Sequence, residues 1–290
     1  MDKLTNNVQL AIDVAKGVWL LDGAEHILPT ISRLSSGKGG PIFEAIQQPT
    51  PRFLSFTGED FEAQSCNTPQ NGCIALIRIA GTLTKYPSWA TVGTIGLAST
   101  INELALDKRV GVLVLDIDSG GGAVNAVPVL VSALRNFKAQ GKPILAHCDM
   151  CASAAYWIAS QCDKVFADNT LSRVGSIGAM CEYWDDRGIF EKDGGKVHIV
   201  YAVESPDKNE DYRKMLDGDY ESIQTTLSTI VEVFHSDIKA GRPNLKTNAA
   251  GVMTGKTFYA EEAKVVGLID SVCTLDETIK IAHTIKQINR

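Results

Sequence analysis

Val110-Gly111-Val112-Leu113-Val114-Leu115-Asp116-Ile117, followed by Asp118-Ser119-Gly120-Gly121-Gly122, is the stretch that decides the fold. Its first eight residues run apolar almost without alternation, the pattern of a strand buried on both faces of a parallel sheet. Past the glycines, Val124, Val127, Leu130, Val131, Leu134 and Phe137 recur at three- and four-residue spacing and mark one face of a helix. Pro128 falls early in that helix, where its missing N–H costs least, and Gly141-Lys142-Pro143 stops it.

Reading outward, Ile74-Ala75-Leu76-Ile77-Arg78-Ile79-Ala80-Gly81 is an earlier strand, and residues 96–106 form the helix after it. Downstream come the strand Ile144-Leu145-Ala146-His147, a helix near residues 153–161 and the strand Lys164-Val165-Phe166-Ala167. Strands alternating with helical patterns imply right-handed crossovers and an α/β class with a parallel sheet. Tyr220, Ile223, Leu227, Ile230, Val231, Phe234 and Ile238 mark a long amphipathic helix that Gly241 ends. A helix at 261–266, a strand at 268–272 and a helix at 275–288 close the chain. Residues 1–72 are less regular: 8–15 and 25–31 are short helix candidates, and Ser35-Ser36-Gly37-Lys38-Gly39-Gly40-Pro41 is loop punctuation. The expected organisation is an N-terminal arm of residues 1–72 and one domain of residues 73–290.

At 290 residues with 44% hydrophobic side chains, the chain can bury an ordinary core without disulfides or metals as staples. A net charge of −6 and the lack of a dense basic block argue against a nucleic-acid partner held through phosphates. The sequence holds no apolar run of the roughly 18 residues that a membrane span needs. Its start, Met1-Asp2-Lys3-Leu4-Thr5-Asn6-Asn7, lacks the regions of a secretory signal. A cytoplasmic location and no membrane partner are therefore expected, with the seven cysteines reduced.

Three segments can carry chemistry. Ser119-Gly120-Gly121-Gly122 lets backbone N–H groups approach a ligand closely, or is simply a tight turn. Ala152-Ser153-Ala154-Ala155-Tyr156-Trp157 puts a serine among small residues between a strand and a helix, where it can be a nucleophile or an N-cap. Val174-Gly175-Ser176-Ile177-Gly178 is a second small-residue stretch after the next strand.

In that order and spacing, the three segments resemble the signal peptide peptidase A family of serine peptidases, within the Clp protease/crotonase-like group. A fourth segment, from Gly255-Lys256-Thr257-Phe258-Tyr259-Ala260 to Val266-Gly267-Leu268-Ile269-Asp270, looks like that family's ending. The resemblance covers about residues 73–275. It implies a Clp/crotonase-like fold of repeated ββα units and a serine endopeptidase working through a Ser-Lys dyad. Ser153 matches the nucleophile, and Lys208 stands nearest the expected general base, with Lys214 and then Lys196 behind it. Ser176 matches the residue that supports the dyad, and the N–H groups of Gly121 and Ala154 match the oxyanion hole. Lysine ordinarily titrates near ~10.4, so such a base must be desolvated to accept a proton at neutral pH.

By the same resemblance, the substrate is a peptide or protein, the enzyme is a homo-oligomer that in some members completes its site across subunits, and no cofactor is used. Members without a membrane anchor resemble phage and prophage prohead proteases, which act on scaffold and capsid proteins in the infected cell or the procapsid. Val18-Trp19-Leu20-Leu21 resembles an early segment of such proteins. A peptide-clearing enzyme, a non-catalytic scaffolding member and a crotonase-type acyl-CoA enzyme are the competing readings.

Cys148-Asp149-Met150-Cys151 has the spacing of a redox or zinc motif, but no second pair completes a ligand set, so it reads as two buried small hydrophobes. Glu182 with Asp185-Asp186 reads as a helix cap and solvated face. No metal is expected.

Overall fold

The computed structural model describes residues 19–21, 48–57, 62–88, 91–183, 185, 187–196 and 198–288. The helix candidates at 8–15 and 25–31 and the 35–41 loop lie outside these residues.

In chain order, the strands up to the first helix are β1 (Trp19–Leu21), β2 (Arg52–Thr57), β3 (Glu62–Cys66), β4 (Cys73–Ala80), β5 (Thr82–Thr84) and β6 (Thr91–Gly93). Then follow helix α1 (Thr94–Leu106), β7 (Val110–Ser119), β8 (Gly121–Ala123) and α2 (Val127–Ala139). Next are β9 (Ile144–Ala152), α3 (Ala154–Ala159), β10 (Lys164–Ala167) and β11 (Arg173–Gly175). The remainder comprises α4 (Arg187–Lys192), α5 (Glu210–Leu216), α6 (Glu221–Gly241), β12 (Thr257–Tyr259), α7 (Ala260–Val266), β13 (Ser271–Val272) and α8 (Leu275–Ile288).

The larger sheet runs in the order β12-β11-β9-β7-β4-β2-β3, with β10 beside β9 and β13 beside β10. The pairs β4/β7, β7/β9, β9/β10, β9/β11 and β10/β13 are parallel. β7, at the centre, is the uninterrupted apolar run of the sequence. Its odd-numbered residues Leu113, Leu115 and Ile117 pack with α1, α2 and α3, while Val112 and Val114 pack with Ile279 and Ala282 of α8. Two helical layers thus enclose one sheet, as a strand apolar on both sides requires.

The smaller sheet has the order β1-β8-β5-β6. The units β4-β5-β6-α1 and β7-β8-α2 each give their first strand to the large sheet and a later one to the small sheet. This is the repeated ββα arrangement of the Clp/crotonase-like α/β fold.

Four details differ from the sequence reading. The large sheet begins before Cys73, because β2 joins β4 antiparallel and β3 joins β2, so Arg52–Thr57 and Glu62–Cys66 belong to the main sheet. Val124–Ala126 form a separate 3-10 turn ahead of α2. β9 continues to Ala152 rather than ending at His147: it forks, pairing with β10 up to Cys148 and with β11 from Met150. Gly241 ends α6 as read, but without a left-handed φ. It is the last residue of α6, where a Cβ would lie 2.1 Å from the Ser160 carbonyl oxygen, so the glycine permits close helix–helix approach.

Candidate active site

Ser153 sits between the end of β9 and the start of α3, only 2% exposed, with φ 55° and ψ −119°. A residue with a Cβ enters that region only when its surroundings hold it there. The restraints are visible. The Ser153 N–H donates to Gly175 O at 2.8 Å, and the Ser153 carbonyl accepts from the Trp157 N–H at 2.9 Å. The second bond is the opening bond of α3, so Ser153 serves the helix through its backbone and makes no side-chain cap. Among the described residues no side chain hydrogen-bonds its Oγ. A serine on a sharp strand-to-helix turn with a free hydroxyl has the geometry of a nucleophile.

Ala154, the first residue of α3, has its N–H ahead of the helix's first internal bond, the position of an unspent donor. Ser176 is brought to the same corner. It follows Gly175, which pairs in register with Ala152 and accepts the Ser153 N–H. Ser176 is itself held at φ 53°, its N–H on Lys256 O at 2.9 Å. The glycine turn arrives through β7, where Ser119 pairs with Cys151, and α3 packs against β8. The Gly121 N–H is engaged here, donating to Ser119 Oγ at 3.1 Å, while that hydroxyl donates to Gly81 O at 2.6 Å.

Among the described residues no hydrogen bond joins Lys208 to this corner. It is exposed in the turns before α5, its N–H on Ser205 O at 3.4 Å, and it makes no hydrogen bond to Ser153. Lys214 pairs with Glu210 at 2.8 Å, and that contact pushes its ammonium pKa up, opposite to what a general base needs. Lys196 is exposed.

The nucleophile helix is braced from behind by α6. Trp157 stacks on Phe234 with ring centroids 4.4 Å apart, and its Nε1–H donates to Asp237 Oδ2 at 2.9 Å. Asp237 also holds Arg135 of α2 at 2.6 Å. A second arrangement escaped the sequence reading, which left His147 as a residue near a strand end. Arg78, Asp116 and His147 lie in one register row across β4, β7 and β9. His147 Nδ1 is 2.9 Å from Asp116 Oδ1, its Nε2 is 3.1 Å from Asp168 Oδ1, and Arg78 Nη1 donates to Asp116 Oδ2 at 2.8 Å. Burial pushes the Asp116 carboxyl up, but the His147 and Arg78 contacts outweigh it and leave the pKa below its ordinary value. The signal in the sequence was Asp116 itself, a charge inside an apolar strand.

Cys148 and Cys151 are both free and fully buried on the side of the sheet that faces α2 and α3. The Cys151 thiol and burial push Cys148 well above the ordinary thiol range, away from the thiolate that redox or ligand chemistry uses. Among the described residues no group of three or more His, Cys, Asp or Glu is arranged to hold a metal ion. Asp186 lies outside them. Asp185 forms a surface pair with Arg187 at 2.7 Å, as a solvated face would.

With the corner built, its relatives can be compared. Residues 136–289 match peptidase family S49. The chain belongs to that family. The match includes Ser153, Ser176 and Lys208 and begins after the glycine turn. Among curated relatives, Protease 4 of Salmonella typhi is 27% identical over 234 residues, covering 78% of this chain and 37% of the relative. Capsid assembly protease C of Escherichia phage lambda is 24% identical over 262 residues, 87% of this chain and 58% of the relative. The head-tail preconnector protein GP5 of Enterobacteria phage P21 is 24% identical over 217 residues, 73% of this chain and 43% of the relative. This S49 chain spans between 37% and 58% of the lengths of those three relatives.

Similar solved structures include the 1510-N membrane-bound stomatin-specific protease, at 17% identity and TM-score 0.43 over 73% of this chain and 84% of that one. An enoyl-CoA hydratase/isomerase family protein from Silicibacter pomeroyi matches at 14% identity and TM-score 0.46, over 77% and 81%. Among the described residues no helix is long and apolar enough to cross a membrane.

Proposed function

We propose that this S49 chain is a serine endopeptidase in which Ser153 is the nucleophile and Lys208 the general base. The observation that carries the reading is the Ser153 backbone, held at φ 55° on the β9–α3 turn with its hydroxyl uncommitted. Lys208 Nζ takes the hydroxyl proton as Oγ bonds to the scissile carbonyl carbon. It then returns the proton to the leaving amine as the C–N bond breaks; in deacylation Lys208 Nζ takes a proton from the attacking water and passes it to Ser153 Oγ as the acyl C–O bond breaks. The Ala154 N–H supports the oxyanion, and the Gly121 N–H joins it on turning away from Ser119 Oγ. Each such donor is worth roughly 3 kcal/mol in the transition state. Ser176 positions the amine.

Because Lys208 is exposed and unattached to Ser153 within one chain, we read the dyad as completed between subunits of a homo-oligomer, with Lys208 of one copy enclosed beside Ser153 of the next. An interface supplies the water-poor setting that a lysine base requires. The substrate class is phage head scaffold or capsid protein, supported by the match of 87% of this chain to capsid assembly protease C. The place of action is then the infected cell or the procapsid.

A fluorophosphonate probe should label the wild type and fail on Ser153→Ala. Lys208→Ala should lose peptide hydrolysis by at least ~100-fold, the lower range for a general base. Mixing Ser153→Ala with Lys208→Ala should restore part of it. Absence of labelling in the wild type would point to a non-catalytic member. Labelling without restoration would put the lysine and serine of each site in one chain.

A further inference from the structure

The outer edge of β8 is covered by a strand from far earlier in the chain. β1 runs antiparallel to β8 in the register Trp19↔Ala123, Leu20↔Gly122, Leu21↔Gly121. The covered edge therefore starts at Gly121, directly after the Ser119-Gly120 turn, and α3 with Ser153 at its head packs against β8. The inner edge of β8 belongs to β5, through Leu83↔Gly122. That inner contact is tight: a Cβ on Gly122 would lie 1.9 Å from the Leu83 carbonyl oxygen. β8 can thus accept a new strand on its outer side alone, where β1 lies.

An extended peptide that delivers its carbonyl to the Ser153–Ala154 corner needs a strand edge to lie on, since main-chain pairing holds a peptide whatever its side chains. Resting on the nucleophile reading above, under which a substrate strand would lie on this outer edge of β8, we propose that Trp19–Leu21 occupies the edge in cis as a displaceable blocking strand. A three-residue strand is short enough to open locally without the domain unfolding. Being part of the same chain gives it a standing advantage over a free peptide, so only a substrate offered densely or binding more extensively displaces it. Free chains are held closed, and chains crowded against their substrate open.

Proline tests the pairing through the backbone alone. Neighbouring amides of a strand point to opposite sides, so one of Leu20→Pro and Leu21→Pro removes a donor aimed at β8 and the other does not. Two quantities are read on the full chain. One is the rate of fluorophosphonate labelling of Ser153. The other, in a Ser153→Ala background, is the affinity of a fluorescent synthetic peptide of residues 15–25 by anisotropy. If the closed form holds the site for about nine-tenths of the time, one proline variant gains roughly tenfold in both.

Unchanged affinity in both variants overturns the proposal. Raised affinity with no labelling of any Ser153 chain keeps the blocking strand and removes the nucleophile reading. A wild-type measurement guards against a variant that fails to fold. Saturating peptide should deprotect the amides of residues 19–21 in hydrogen exchange, and their continued protection also overturns the proposal.

Discussion

Ser153 shows what a single position contributes and what it costs. A left-handed backbone at a residue with a Cβ stores about 1–3 kcal/mol, and glycine adopts it without that strain. Ser153→Gly and Ser153→Ala both delete the nucleophile, yet the glycine variant should be more stable by about 1 kcal/mol. Urea denaturation of the two proteins measures this directly, and an alanine variant as stable as the glycine one would mean the turn carries no strain. The small neighbours of Ser153, and its place between a strand and a helix, were legible in the sequence. The backbone angles were not, because they are imposed by Gly175, which is near in space through β11 and 22 positions later in sequence. Lys208 was nameable from its place after Ser153, but spacing says nothing about the direction of an exposed side chain.

Among the elements, α3 is the one whose placement matters most, and six residues cannot hold themselves. Its position is fixed by β9 in front and α6 behind, with Phe234 fully buried against Trp157. Phe234→Ala should therefore cost about 3–5 kcal/mol of stability. Of the surviving folded protein, it should also slow probe labelling of Ser153, because the turn loses its backing. A Phe234→Ala protein that labels at the wild-type rate would show that β9 alone sets the turn. The existence of α6 was legible from its apolar spacing, and so was that of β7. What α6 touches was not, since periodicity identifies a buried face without its partner. Gly241 makes the point: it looked like a stop signal, and its use is contact with Ser160.

Across the whole molecule, two carboxylates join strands that sequence keeps far apart, and both face the same consequence in acid. Asp116 ties β7 to β4 and β9 through Arg78 and His147. Asp270 accepts the Val165 N–H at 2.8 Å and Arg242 Nη1 at 2.7 Å, joining β10 to the chain after α6. In each, burial pushes the pKa up from its ordinary 3.8, and the donors around it win, leaving a net lowering. A carboxyl with a lower pKa folded than unfolded adds stability that is complete above the unfolded value. That stability is lost as pH falls through the folded one. The urea midpoint should accordingly hold between pH 7 and 5, then drop steadily below about pH 4, where the unfolded chain binds more protons. Asp116→Asn removes one of these titrations, so its midpoint should start lower at neutral pH and fall less steeply toward pH 3. A midpoint flat down to pH 3 in the wild type, or an Asp116→Asn curve running parallel to it, would mean that these sheet-spanning contacts do not set the acid limit.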